Sequence, residues 1–228
     1  MSAQVLTTAT FNAAHIAFSQ IIKNAKGGKS QYVNRIDGAR IRLQTPTLRC
    51  PFGLSRYDAN DGNSSFSIDV SVDNQGQFEQ KMRDVEKLMR ENAVKTSPEW
   101  LGKQISDETL DVLFKTFFKE SSDPEKYAPT IKLKVTPYTQ IFDKDGEVVD
   151  KEKITKGARV KAIVEFSPWF VGGSCGCTVK IIQLMIVETP QVTDQKLSAF
   201  AFVQDDEMPD ATDEAEVSDA CQDGQTFL

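Results

Sequence analysis

The sequence predicts a mainly β chain interrupted by one helical insert, and two patterns carry that prediction. The first is alternation. In Ala39-Arg40-Ile41-Arg42-Leu43, Ile131-Lys132-Leu133-Lys134-Val135 and Ala158-Arg159-Val160-Lys161-Ala162, apolar residues alternate with arginine or lysine. Side chains alternate across a strand with period two, so each segment buries one face and shows paired cations on the other. Outward cations also serve any soluble strand by blunting its edge, so the pattern alone does not name a ligand. The second pattern is a change of period: Phe78, Met82, Val85, Leu88 and Met89 fall at helical spacing between charged residues.

In chain order, residues 1–28 open uncharged and alanine-rich, as a short helix or an arm, and end in Lys26-Gly27-Gly28-Lys29. Residues 31–36 and 39–44 read as a hairpin turned at Asp37-Gly38. Residues 45–57 form a loop in which Arg49 and Arg56 are interleaved with Phe52 and Tyr57. Phe66, Ile68, Val70 and Val72 alternate with polar residues as a third strand. The insert spans about 77–118. It holds an amphipathic helix over 77–94, a short helix begun at Pro98, and a third helix capped by Ser106 with the stripe Leu110, Leu113, Phe114 and Phe117. Strands resume at 131–135, a hairpin turns at Asp143-Lys144-Asp145-Gly146, and 158–171 pairs with 175–188 through Gly172-Gly173.

Three strands, a helical insert and further strands is the order of an OB-type barrel, five-stranded or extended, with the insert between its third and fourth strands. A jelly roll or another β-sandwich would give similar strand signals. The expected domains are an arm over 1–28, the barrel over 29–203 and an acidic tail over 204–228. The tail has few apolar residues and a run of like charges, which predicts disorder.

Net charge is −6, but its distribution is uneven. Residues 1–56 carry eight Lys or Arg against the single acid Asp37, a balance of +7. The tail holds nine acids, Asp205, Asp206, Glu207, Asp210, Asp213, Glu214, Glu216, Asp219 and Asp223, and no base. Removing those nine from the 33 acids leaves 24 against 27 bases, so the remainder is +3 and suits a polyanion.

No apolar run approaches the roughly 18 residues of a membrane span, and the start lacks the pattern of a signal peptide, so an intracellular protein is expected with no membrane partner. Four scattered cysteines give no disulfide framework. Cys175-Gly176-Cys177 supplies half the spacing of a zinc site without a second pair, and His15 is the lone histidine, so no metal and no cofactor is expected. There is no phosphate loop and no Gly-x-Ser-x-Gly elbow, and carboxylates without a constellation do not make an enzyme.

The runs Thr45-Pro46-Thr47-Leu48-Arg49-Cys50-Pro51-Phe52-Gly53-Leu54 and Phe142-Asp143-Lys144-Asp145-Gly146, with the hairpin from Trp169 through Gly176 to Gln183, resemble the podophage-type single-stranded DNA-binding proteins of nucleo-cytoplasmic large DNA viruses. The resemblance spans roughly residues 31–188. In that family an acidic C-terminal tail ends in an aromatic residue; here Phe227 is penultimate, before Leu228. The resemblance implies an OB fold, sequence-tolerant binding to single-stranded DNA and a tail that recruits replication enzymes, namely a DNA polymerase, helicase or primase. It implies work in viral DNA replication, recombination or repair, at replication sites in the host cytoplasm or nucleus, or packaging in the virion. Self-association as a homo-oligomer is left open.

Binding a bare strand needs a cationic groove for phosphates and flat side chains for unstacked bases, each stack being worth roughly 1–3 kcal/mol. Candidate phosphate ligands are Arg35, Arg40, Arg42, Arg49, Arg56, Lys132, Lys134, Arg159 and Lys161; candidate stacking residues are Tyr32, Phe52, Tyr57, Tyr138 and Trp169. Only Arg49, Phe52 and Trp169 lie within the runs that carry the resemblance. The nine tail carboxylates with Phe227 and Leu228 form the candidate partner-binding segment, competing with DNA until displaced. The alternative is a non-catalytic β-sandwich structural or adaptor protein whose acidic tail binds basic partners and ignores oligonucleotides.

Overall fold

Alternation in three long strands decides the architecture. A computed structural model describes residues 5–25, 27–58 and 64–190. Among the described residues nine strands precede the insert: β1 (Val5–Thr7), β2 (Ile16–Phe18), β3 (Ile22–Lys23), β4 (Lys29–Ser30), β5 (Val33–Arg35), β6 (Arg42–Gln44), β7 (Leu48–Arg49), β8 (Leu54–Asp58) and β9 (Ser64–Ser71). Among the described residues the α-helices are α1 (Gly76–Lys95), α2 (Ser97–Trp100) and α3 (Asp107–Leu113), with 3-10 helices at Ala13–His15 and Lys151–Lys153. After them come β10 (Phe114–Lys115), β11 (Phe118–Lys119), β12 (Thr130–Phe142), β13 (Arg159–Val171) and β14 (Ser174–Glu188).

Inward residues of β12 (Ile131, Leu133, Val135), β13 (Val160, Ala162, Val164, Phe166) and β14 (Val179, Ile181, Leu184) are buried. Their neighbours Lys132, Lys134, Arg159 and Lys161 face out, as the alternation predicts. β13 pairs antiparallel with β14, β14 parallel with β12, β12 antiparallel with β9, β9 with β7, and β7 with β13 again. The ladder therefore returns to its starting strand, and the apolar faces converge on one interior. α1 closes that interior with Phe78, Met82, Val85, Met89 and Ala93. Trp100 of α2 stacks on Phe170 with ring centroids 5.2 Å apart, its indole N–H donating to the Ala93 carbonyl at 2.9 Å.

Three local expectations are corrected. Residues 5–25 hold one short 3-10 helix, Ala13–His15, and are otherwise strands tied to the body: β1 pairs parallel with β6, β2 antiparallel with β5, and β3 with β4. Non-local backbone partners here override a weak local helix preference. The Asp37-Gly38 turn forms, with Gly38 at φ +85° and the Arg35 amide donating to the Ala39 carbonyl at 2.7 Å. Its second strand starts at Arg42 rather than Ala39, because β6 leaves β5 to pair with β1 and β13. The third helix stops at Leu113: Phe114 and Lys115 pair with Cys175 and Gly176, and Phe118 pairs with Ile131. Phe114 and Phe117 are buried as the stripe predicts, but Phe114 from a strand and Phe117 from the bend that follows it. The acidic tail, with every residue named in it, lies outside the described residues.

Candidate nucleic-acid interface

Strand register gathers part of the predicted set onto one outward face. Tyr57 of β8 stands opposite Ser65, Ser67 opposite Lys134, Lys134 opposite Lys180, Lys180 opposite Glu165, and Trp169 opposite Gly176. Directly opposed residues share a face, so an aromatic stands at each side of a row of ammonium groups. Between Tyr57 and Trp169 lies a cavity of about 470 Å³, lined also by Phe66, Lys115, Lys132 and Lys134. Among the described residues, Lys115, Lys132, Lys134 and Lys180 form no ion pair. Burial, and next the Lys134 ammonium, hold the Lys180 amine below the ordinary lysine value, while Glu165 acts against them. Lys115, Lys132 and Lys134 line the cavity with no carboxylate of the described residues paired to them, which leaves positive charge there for an anion.

Trp169 is held in place by what its partner lacks. A Cβ at Gly176 would lie 2.8 Å from Trp169 Cζ2 and 2.7 Å from the Lys115 carbonyl oxygen. The half-buried indole thus rests across β14 where there is no side chain, and β4 flanks it through Ser30. Tyr57 at the opposite side is 69% exposed.

Beside this face, Arg40 and Arg42 share the Glu165 carboxylate at 3.7 and 2.9 Å, and the Arg40 guanidinium sits 4.2 Å from the Tyr32 ring centre. Arg35 pairs with Asp37 at 2.6 Å. Arg56 is next to Tyr57 in sequence but on the opposite face of β8, where it holds Asp58 at 2.7 Å and donates to Ser64. Tyr138 is 89% exposed at an irregularity of β12 between Val135 and Gln140, apart from the others. Lys161 faces outward near the start of β13.

Arg49 and Arg159 are exposed cross-strand neighbours. Arg49 and Phe52 line a second cavity of about 560 Å³ with Lys119, Lys126 and Tyr127. Phe52 is thrust outward, 59% exposed, by a Pro-Phe-Gly turn fixed on both sides. Cys50 N–H donates to the Ala158 carbonyl and Gly157 N–H to the Cys50 carbonyl, both at 2.7 Å. Gly53 has φ +72°, and a Cβ there would lie 2.8 Å from the Lys156 nitrogen.

Sequence reasoning missed Lys180 and Lys115. Alternation through Thr178-Val179-Lys180-Ile181 was the signal for the first; reading 106–118 as helical hid the second. Among the described residues no group of three or more His, Cys, Asp or Glu is placed to hold a metal ion, and no helix is long and apolar enough to cross a membrane.

A family model described as a family of unknown function, DUF5871, matches residues 59–204. The chain belongs to that family. No curated protein matches it. Among solved structures, the single-stranded DNA-binding protein from bacteriophage Enc34 in complex with ssDNA is similar, with a TM-score of 0.50 and 14% identity over 74% of this chain and 94% of that one. A C-terminal truncation of the same phage protein gives a TM-score of 0.48 at 14% identity, covering 74% and 94%. Gp2.5, a single-stranded DNA binding protein encoded by bacteriophage T7, gives 0.46 at 10% identity, covering 69% and 97%. The DUF5871 chain and the Enc34 protein thus share a fold at low sequence identity.

Proposed function

We propose that this protein binds single-stranded DNA without sequence preference, on the outer face that holds Tyr57 and Trp169. The observation that carries the reading is the arrangement of two accessible aromatics around Lys115, Lys132 and Lys134, none of which forms an ion pair among the described residues, with Lys180 beside Lys134 on the next strand. Phosphates would lie on the ammonium row while bases stack on the flanking rings, a mode that tolerates any base because each has a π-face. Arg40, Arg42 and Tyr32 extend the cationic margin, with Glu165 holding the two arginines at rest. The closed circuit of strand pairings supports an OB-type barrel, and a fold shared with a phage protein solved in complex with ssDNA supports the ligand. Binding needs no catalytic group, and the reading assigns none.

In this role the protein serves viral DNA replication, recombination or repair at intracellular replication sites. Its acidic residues 205–223 compete for the ammonium row, and Phe227 and Leu228 engage a polymerase, helicase or primase once DNA displaces them. The nine carboxylates are tethered to the site they mimic, so their effective concentration is high.

Fluorescence anisotropy of labelled oligo(dT) and of a duplex, with the full chain and a 1–204 truncation at two salt concentrations, tests both levels. Salt-weakened preference for the single strand, lost in Trp169→Ala, is the expected result for the face. Tighter binding by the truncation is the expected result for the tail. If no form of the protein binds either nucleic acid, the outward lysines are a solvated surface and the adaptor reading takes over.

A further inference from the structure

Three elements run from the cavity beside Trp169 to the one beside Phe52. β9 gives Ser67 to the first and Ser71 to the second; β12 gives Lys132 and Lys134 to the first and Thr130 to the second. The segment after α3 gives Lys115 to the first and Lys119 to the second. Ser67, Ser71, Thr130 and Lys134 share one parity and so one outward face, and a four-residue step along either strand covers about 13 Å. The openings are therefore neighbouring stations on one surface, joined by Lys132 between them.

The chemistry repeats along with the geometry. Phe52 and Tyr127 are 59% and 56% exposed, large apolar surfaces that the fold leaves in water. A lysine stands over each ring, Lys119 at 5.8 Å and Lys126 at 5.3 Å from the ring centres. Arg49, Lys119 and Lys126 form no ion pair among the described residues, while the acid Glu120 at the same cavity is held by Arg83 at 3.1 Å. Asp73 remains as the other carboxylate there. Cations beside accessible rings suit an anionic chain that carries flat groups better than an apolar peptide, which would leave three cations without partners.

Resting on the reading of the Trp169 face as a single-strand site, we propose that the Phe52 cavity is a second base-stacking subsite for the same strand. A base stacks on Phe52 and Tyr127, and its phosphates lie on Arg49, Lys119 and Lys126. The strand leaves the Tyr57 and Trp169 cavity along Lys132 and Thr130. The segment between the insert and β12, which supplies Lys119, Lys126 and Tyr127, thereby helps set the length of strand the protein covers.

A length series of labelled oligo(dT), about 4 to 16 nucleotides as suits one OB-type domain, tests this with the full chain and its variants. Wild-type affinity should rise in a step at the length that reaches both cavities. Phe52→Ala and Tyr127→Ala should each lower affinity for long strands roughly tenfold, abolish the step and leave short strands unaffected. Both rings are exposed, so neither variant threatens folding. Trp169→Ala should weaken binding at every length. Unchanged long-strand affinity in Phe52→Ala and Tyr127→Ala, with Trp169→Ala still defective, overturns the second subsite alone. Equal losses at short and long lengths would place Phe52 in the first site and also overturn it. Wild-type binding by Trp169→Ala would remove the parent reading instead.

Discussion

Replacing Gly176 by alanine should weaken strand binding through Trp169, although Gly176 itself presents no group to a ligand. The new Cβ would stand 2.8 Å from Trp169 Cζ2 and 3.1 Å from Cε2, against the roughly 3.5–4.0 Å of a relaxed carbon contact. It would also stand 2.7 Å from the Lys115 carbonyl oxygen. That oxygen belongs to β10, whose backbone is fixed by pairing with β14, whereas the indole is half-exposed and can swing away. The ring can yield by swinging out, while the closer Lys115 carbonyl clears the new Cβ only if β10 shifts on β14, so the variant loses the ring's seat and also strains that strand pairing. Overpacking of this kind costs about 1–3 kcal/mol, which at roughly 2–4 °C per kcal/mol lowers Tm by about 2–12 °C in a domain of this size. Losing the stacking platform costs a further 1–3 kcal/mol of binding, about 5- to 150-fold in Kd. Anisotropy with oligo(dT) reads the affinity for wild type, Gly176→Ala, Trp169→Ala and the double variant. If Gly176 acts by seating Trp169, the double variant binds like Trp169→Ala alone. Wild-type affinity in Gly176→Ala, or losses that simply add in the double variant, would refute the coupling.

Lys132→Ala and Lys134→Ala should each flatten the dependence of log K on log salt by about 0.7, the value of one phosphate contact on a single strand; titrations between 50 and 200 mM salt measure it. Lys180→Met should weaken strand binding yet raise Tm. A lysine whose folded pKa is depressed carries its full penalty below that pKa and loses it as pH rises towards the ordinary value of 10.5. The Tm advantage of Lys180→Met should accordingly shrink as pH is raised towards 10, and an advantage constant across that range would count against the assignment. Burial pushes the thiols of Cys50 and Cys175 up to about 11 and that of Cys177 to about 12. These three should resist thiol reagents at pH 7.5 in the native protein and react once it is unfolded, as peptide mapping after labelling would show.

The inward faces of β12 and β13 were legible because a ladder closed on itself leaves one face dry, and a dry face writes period two into the sequence. Paths between strands were not legible. Tyr57 and Trp169 come to one face through four successive register choices, none of which leaves a local trace. Arg56 and Tyr57 look like a cation interleaved with an aromatic, yet the same period two that exposes Tyr57 turns Arg56 to the other side, where Asp58 and Ser64 hold it. Lys180 was obscured by the aliphatic pair that follows it. β14 carries an irregularity opposite Ile163 and Val164, so Ile181 stays inside while Ile182 adds a residue to the strand. A bulge of that kind resets the alternation and makes the pattern look ambiguous where it is firm. Gly176 shows the limit most sharply. In sequence it is the spacer of a Cys-Gly-Cys that resembles half a metal site, and only the pairing of β13 with β14 reveals that the missing side chain is the seat of an indole. A residue defined by the space it leaves has no chemical signature of its own, so it becomes visible only when its cross-strand partner is known.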